Sequence, residues 1–244
     1  MQNIKLIISY DGTNYHGWQR QENAITIQEV IEKACSKLFS ENITIRGAGR
    51  TDTGVHALGQ CATLMVDTSI PLERLPLALN RILPPDIVIT HAEKVSMDFH
   101  PQYSAKSKTY RYQIMNGKYP VPQMRHYAHF VYQPLNHQWM DQAAKHFVGT
   151  HDFTTFCSAG TDKVMKERTI YSASVARDGD MIAFEICGNG FLYNMVRIMV
   201  GTLIQVGKGK KSPNSIPDII LSKNRKSAGM TAPPHGLTMY NIEY

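Results

Sequence analysis

The chain has 244 residues, 43% of them hydrophobic and 19% charged, which suits one large or two ordinary globular domains and excludes long disorder. Residues 1–105 hold 9 Lys/Arg against 11 Asp/Glu, whereas residues 106–244 hold 17 against 9, so the net charge of +6 comes from the second half. A basic half suits a polyanionic partner, and equally a solvated surface. In chain order, a strand is predicted over about Lys5–Tyr10. Thr26 and Glu29 form a capping box, and Ile27, Val30, Ile31, Ala34 and Leu38 then recur at helical spacing. Extended segments follow near Asn42–Ile45 and Cys61–Val66, then a helix over roughly Leu72–Ile82 that Pro76 kinks or delays, then a strand over Ile87–Thr90.

The second half repeats that order. Thr109–Ile114 alternates as a strand, and Asn136 caps a helix in which Trp139, Ala143 and Phe147 share a side. Thr169–Val175 and Met181–Ile186 read as strands, and Phe191–Val206 as a helix. The fold class expected is α+β: two ferredoxin-like β-α-β-β-α-β domains with mixed or antiparallel sheets, side by side around an active-site cleft. The boundary falls near Phe99–Lys108, giving domains of 1–103 and 104–244.

Four cysteines at 35, 61, 157 and 187 contain no CxxC pair, so zinc has no sequence support and no metal is expected. The apolar run at the N-terminus is too short for a signal peptide, and no run approaches the roughly 20 residues of a membrane span. The expectation is a cytoplasmic protein with reduced thiols and no membrane contact.

The most unusual segment is Gly47–Ala57, with three glycines, Arg50, Thr51, Asp52, Thr53 and His56 inside eleven residues. A dinucleotide glycine loop would need its third glycine where Asp52 stands, and a carboxylate there repels pyrophosphate. Asp52-Thr53-Gly54 spells the aspartic-protease tripeptide, but that chemistry needs two carboxylates sharing a proton, and the chain has one copy. A single ionised carboxylate, kept charged by a neighbouring arginine, remains available as nucleophile or base. A capping aspartate in a glycine turn is the plain structural alternative.

Ser104–Tyr112 interleaves basic, hydroxyl and aromatic side chains, a mixture suited to phosphate contacts beside a ring on which a base stacks. In the late helix Leu192, Met195, Val196, Met199 and Leu203 form an apolar face, and Gly190, Tyr193, Asn194, Arg197 and Gly201 a polar or small one. An arginine buried in so apolar a helix needs an anionic partner, for which Asp52 is the candidate.

Five ordered motifs carry a resemblance that spans the whole chain. They are Tyr10-Asp11-Gly12-Thr13 with Tyr15 and Gly17-Trp18-Gln19, Gly47–Ala57, Ser107–Tyr112, Gly188–Arg197 and Ala232–Leu237. Together they resemble the tRNA pseudouridine synthase A family. Tyr193-Asn194 and Lys163–Lys166 fall where family members vary, so they bear on the choice of uridine.

The resemblance implies that Asp52 is the essential carboxylate and that Arg197 pairs with it. It implies that Tyr110 contacts the flipped base and that Arg50 helps extrude the nucleotide. Lys106, Arg111 and His56 are the further substrate-binding candidates, and Lys208, Lys210 and Lys211 are candidates for backbone contacts. The family acts on uridines of the anticodon arm, at about tRNA positions 38 to 40, as a homodimer without metal or organic cofactor. A duplex-stacked base has to be flipped before it can be reached. Asp52 could attack the sugar C1′, abstract a sugar proton or add to the uracil ring, and the residues leave all three open. The competing class is a tRNA-binding paralogue or RNA chaperone without catalysis.

Overall fold

The computed structural model describes residues 1–158 and 165–244, so Lys163 of the variable stretch lies outside the described residues. The elements in chain order are β1 (Gln2–Tyr10), α1 (Ile27–Phe39), β2 (Ile45–Gly47), β3 (His56–Val66), α2 (Leu75–Asn80) and β4 (Ile87–Val95). They continue with β5 (Ser107–Met115), β6 (His129–Phe130), α3 (His137–Lys145), β7 (Gly149–Asp152), β8 (Glu167–Asp178), β9 (Met181–Gly188), α4 (Met195–Gly207), α5 (Ile216–Leu221) and β10 (Leu237–Glu243). The class is mixed α+β. Among the described residues, no helix is long and apolar enough to cross a membrane.

The chain forms two compact units, Met1–Lys106 with Thr238–Tyr244, and Ser107–Leu237. The last strand thus returns to the first unit, a step with no signal in the local pattern of either half. In that unit the strands lie in the order β4-β1-β3, with β2 also on β3 and every one of these pairs antiparallel. β10 joins β3 in parallel, with Thr238 opposite His56. Ile4, Leu6 and Ile8 of β1 are fully buried, as the alternation of a half-covered strand requires. α1 starts where the capping box places it: the Thr26 hydroxyl accepts the Glu29 N–H, and Ile27, Ile31, Ala34 and Cys35 enter the core. Pro76 delays α2 to Leu75, because proline fits only the first turn.

In the second unit the order is β5-β9-β8-β7, all antiparallel, and β6 adds to β5 in parallel. Phe147, Phe153 and Phe156 form an edge-to-face chain in the core, with centroids 5.2 and 6.2 Å apart. Two expectations are corrected here. Asn136 does cap α3, but Met140, Ala143 and Ala144 make its buried face, whereas Trp139 is 46% exposed. Trp139 lines an open groove of about 340 Å³ with Lys210 and Lys211. The late helix begins at Met195 rather than Phe191, because Asn194 is left-handed (φ 60°) and ends any helical run that reaches it.

Asp152 accepts bonds from the hydroxyl and N–H of Thr154 and pairs with Lys223 at 2.9 Å. The Thr154 hydroxyl and then Lys223 hold its carboxyl down from 3.8 to about 2. A depressed carboxyl stabilises the fold above its unfolded pKa and loses that contribution as pH falls through the folded one. Asp152→Asn should therefore lower the urea midpoint at pH 7 and leave it nearly unchanged below about pH 2. An equal loss at both pH values would contradict this.

Candidate active site

Asp52 lies in the loop that joins β2 to β3, and the first unit grips that loop from both sides. Before Asp52, the Trp18 N–H donates to the Thr51 carbonyl (3.0 Å), and the buried Tyr10 and Thr51 hydroxyls meet at 2.8 Å. Burial pushes the Tyr10 phenol well above its usual range, so it stays neutral as a hydrogen-bonding group. After Asp52, the Val55 N–H closes a turn onto the Asp52 carbonyl (3.1 Å), and Gly54, at φ 76°, donates to the Tyr15 carbonyl. Gln60, fully buried within β3, donates to the Gly49 carbonyl at 3.0 Å.

Two glycines of the opening motif make this grip possible. A Cβ on Gly12 would lie 2.0 Å from the Val55 carbonyl oxygen, and one on Gly17 would lie 2.4 Å from the Thr51 oxygen. Gly47 leaves room for the Trp18 indole in the same way. The opening motif is thus a cradle for the backbone on either side of Asp52, whose own side chain is half-buried. Arg46 and Arg50 are exposed.

His56 is buried, and its Nδ1 lies 3.1 Å from both the Gly12 N–H and Asp11 Oδ1. The Gly12 N–H is a fixed donor, and Nδ1 accepts from it. Asp11 Oδ1 accepts from the N–H and hydroxyl of Thr13. This places His56 in the support of the loop. Lys106 Nζ reaches the Tyr244 carbonyl at 2.9 Å.

In the second unit, Arg197 sits in the first turn of α4 with its guanidinium oriented from two directions. Nε donates to the Ala232 carbonyl (2.8 Å) and Nη1 to the Asn194 side-chain oxygen (2.8 Å). The Ala232 N–H returns a bond to the Arg197 carbonyl, so the closing motif and α4 are tied reciprocally. The Asn194 amide also donates to the Ser158 hydroxyl. The Tyr112 hydroxyl donates to the Pro233 carbonyl, and Gly236 fits against the Tyr112 ring. Farther along α4, Gly201 lies so close to the Met230 carbonyl that a Cβ would overlap it. Tyr110 is buried on β5, edge-on to Phe191 with centroids 5.1 Å apart. Arg111 pairs with Glu185 across the β5–β9 ladder at 2.8 Å.

A family model described as tRNA pseudouridine synthase matches residues 6–104 and 143–244. The chain belongs to the tRNA pseudouridine synthase family. It is 51% identical to the tRNA pseudouridine synthase A of Acetivibrio thermocellus and 50% identical to that of Thermoanaerobacter pseudethanolicus, each over the full length of both chains. It is 43% identical to the Clostridium acetobutylicum protein of the same name, again over both full lengths.

Sequence reasoning singles out Asp52, Arg50, Arg197 and Tyr110 for this pseudouridine synthase, but misses what holds them. Asn194 stands out only as part of a polar face, and the carbonyl of Ala232 gives no sequence signal at all. The Gly12, Gly17 and Trp18 cradle has a signal in the dense opening motif, but its function appears only with the contacts. Among the described residues, no three of His, Cys, Asp and Glu come together in a way that could hold a metal ion.

Proposed function

We propose that Asp52 supplies the essential carboxylate for uridine isomerisation and that Arg197 is its cationic partner. The reaction class follows from the family: the chain is a tRNA pseudouridine synthase, an isomerase that converts uridine to pseudouridine in tRNA. The N1–C1′ bond breaks and the C5–C1′ bond forms. The C5 proton leaves and N1 gains one, so no redox partner or energy source is consumed. The observation that carries the assignment is the grip on Asp52: one half-buried carboxylate in a basic, glycine-rich loop fixed from both sides. A carboxylate so held loses little freedom when it acts, which is what a positioned nucleophile or base requires.

In this reading Tyr110 faces the flipped uracil, and Arg50 helps extrude the nucleotide. Lys106 and Arg111 contact the RNA backbone, Arg111 in competition with Glu185, while His56 acts through the loop it supports. The target uridines lie in the anticodon arm, at about positions 38 to 40, and the enzyme works as a cytoplasmic homodimer. The strand order of the first unit supports a ferredoxin-like platform.

Asn194 supplies a test of the Arg197 assignment. Asn194→Gly keeps the left-handed backbone and removes the side-chain oxygen that orients the guanidinium. A hydrogen bond to a charged group contributes about 1.5–3 kcal/mol, so the single-turnover rate should fall about 10–100-fold. Release of tritium from C5 of the tRNA uridines reads that rate directly. An unchanged rate would show that the Asn194 bond does not position Arg197 for the chemistry, and no tritium release by the wild type would remove the enzyme.

A further inference from the structure

We propose that residues 117–134, between β5 and α3, form a second RNA-contact site that grips tRNA away from the target nucleotide. The inference rests on the tRNA-modifying reading above and deepens it. From Phe99 to Met140 the sequence contains no Asp or Glu, while it holds five Lys/Arg, four His and six of the twelve tyrosines. No other stretch of comparable length in the chain is so free of acid. The excursion at its centre exposes large rings: Tyr119 is 71% exposed, Tyr132 66% and Tyr127 43%. Lys118 Nζ lies 5.3 Å from the centroid of the Tyr119 ring, and Arg125 is exposed. Exposed rings beside cations on a polyanion binder are stacking platforms for unpaired bases with phosphates alongside.

The excursion has almost no regular structure, yet its base is clamped. The side chain of Asn116, itself buried, donates to the carbonyls of Val131 and Gln133, and its oxygen accepts the Leu135 N–H. Arg177 then bonds both the side-chain and backbone oxygens of Asn116. The Val131 N–H is satisfied by the Met115 carbonyl. Such a clamp holds the two ends of the segment and presents the rings without the ordering cost that a loose loop would meet on binding.

β5 sets the base of the segment off from Tyr110. Tyr110 and Asn116 are six residues apart on an extended run, roughly 20 Å at 3.3 Å per residue. The segment then folds back, with His129 beside Ile114 and 6.2 Å from His235 of the closing motif, while the rings of Tyr119 and Tyr132 stay in solvent. Charge argues against the other use of exposed tyrosines, a face shared between two copies of the chain. A twofold interface sets a patch against itself, so Lys118 and Arg125 would face a second basic segment whose own sequence offers no Asp or Glu. One carboxylate comes near the start of the segment, where Asp180 abuts Gly117.

Two double variants test the site: Tyr119→Ala with Tyr132→Ala, and Lys118→Ala with Arg125→Ala, all at exposed positions that leave the core intact. Affinity for unmodified full-length tRNA is read at two salt concentrations, with the single-turnover rate at saturating enzyme and the oligomeric state by sedimentation. The tyrosine variant should weaken tRNA binding about tenfold or more. The charge variant should lower the salt slope by about 0.7 to 0.9 for each phosphate that is no longer neutralised. Both should keep the wild-type rate once saturated. Unchanged affinity and slope in both variants would overturn the proposal, as would a change of oligomeric state with affinity per assembled enzyme retained. Failure of the wild type to form pseudouridine would instead overturn the reading on which this one rests.

Discussion

Asp52→Asn should abolish pseudouridine formation while tRNA affinity stays within about threefold of wild type. Asparagine keeps the size and the hydrogen-bonding oxygen of the side chain but removes the charge. It can neither attack a sugar carbon, nor accept a sugar proton, nor add to the uracil ring as a carboxylate could, so each of the three open routes is closed. A positioned base alone contributes up to about 10⁴-fold, and a nucleophile more, so a loss of at least that size is expected. The backbone grip from Trp18, Tyr10 and Val55 does not involve the carboxylate, so the loop should keep its place. Nucleoside analysis of digested tRNA reads the product, and a filter-binding titration reads the affinity. Product at a tenth of the wild-type rate would mean that Asp52 is a structural capping residue.

The second large effect belongs to a residue without a functional group. Gly12→Ala places a methyl 2.0 Å from the Val55 carbonyl oxygen, and the neighbour it meets is backbone, which cannot swing aside. The loop must move or the opening motif must. Overpacking of this kind costs about 1–3 kcal/mol of stability. The larger consequence is displacement of Asp52, since errors near 1 Å in a catalytic group cost about 100-fold in rate. Gly12→Ala should thus lose about 100-fold in single-turnover rate while remaining folded, with tRNA affinity little changed. Near-normal activity would show that the position of the loop does not depend on the opening motif.

Much of the fold is legible where one local signal decides it. Thr26 with Glu29 places the start of α1, Asn136 that of α3, and Pro76 the delayed start of α2. A short apolar run finds β1, and alternation finds β5. Local signals fail where the deciding partner is distant in sequence. β10 belongs to the first unit because it pairs with β3, with Thr238 opposite His56 across the second unit's sequence. Spacing groups Trp139 with Ala143 and Phe147, but the core face of α3 runs through Met140, Ala143 and Ala144. Asn194 reads as a helical residue until its left-handed backbone is seen.

The candidate site divides in the same way. Asp52, Arg50 and Arg197 stand out because charged groups among glycines or apolar residues need a reason. Their supports do not, because the deciding atoms are backbone carbonyls, those of Thr51, Val55 and Ala232. No side-chain pattern announces a carbonyl. The glycines that face them are the nearest trace, and the density of Gly12, Gly17, Gly47 and Gly49 around the loop is how far sequence can go.

The most direct test maps pseudouridine, position by position, on unmodified tRNA incubated with the wild-type protein and with Asp52→Asn. Pseudouridine in the anticodon arm with the wild type and none with the variant, both proteins binding the tRNA, is the predicted result. Pseudouridine from both proteins, or from neither, would contradict the assignment of Asp52 as the catalytic carboxylate.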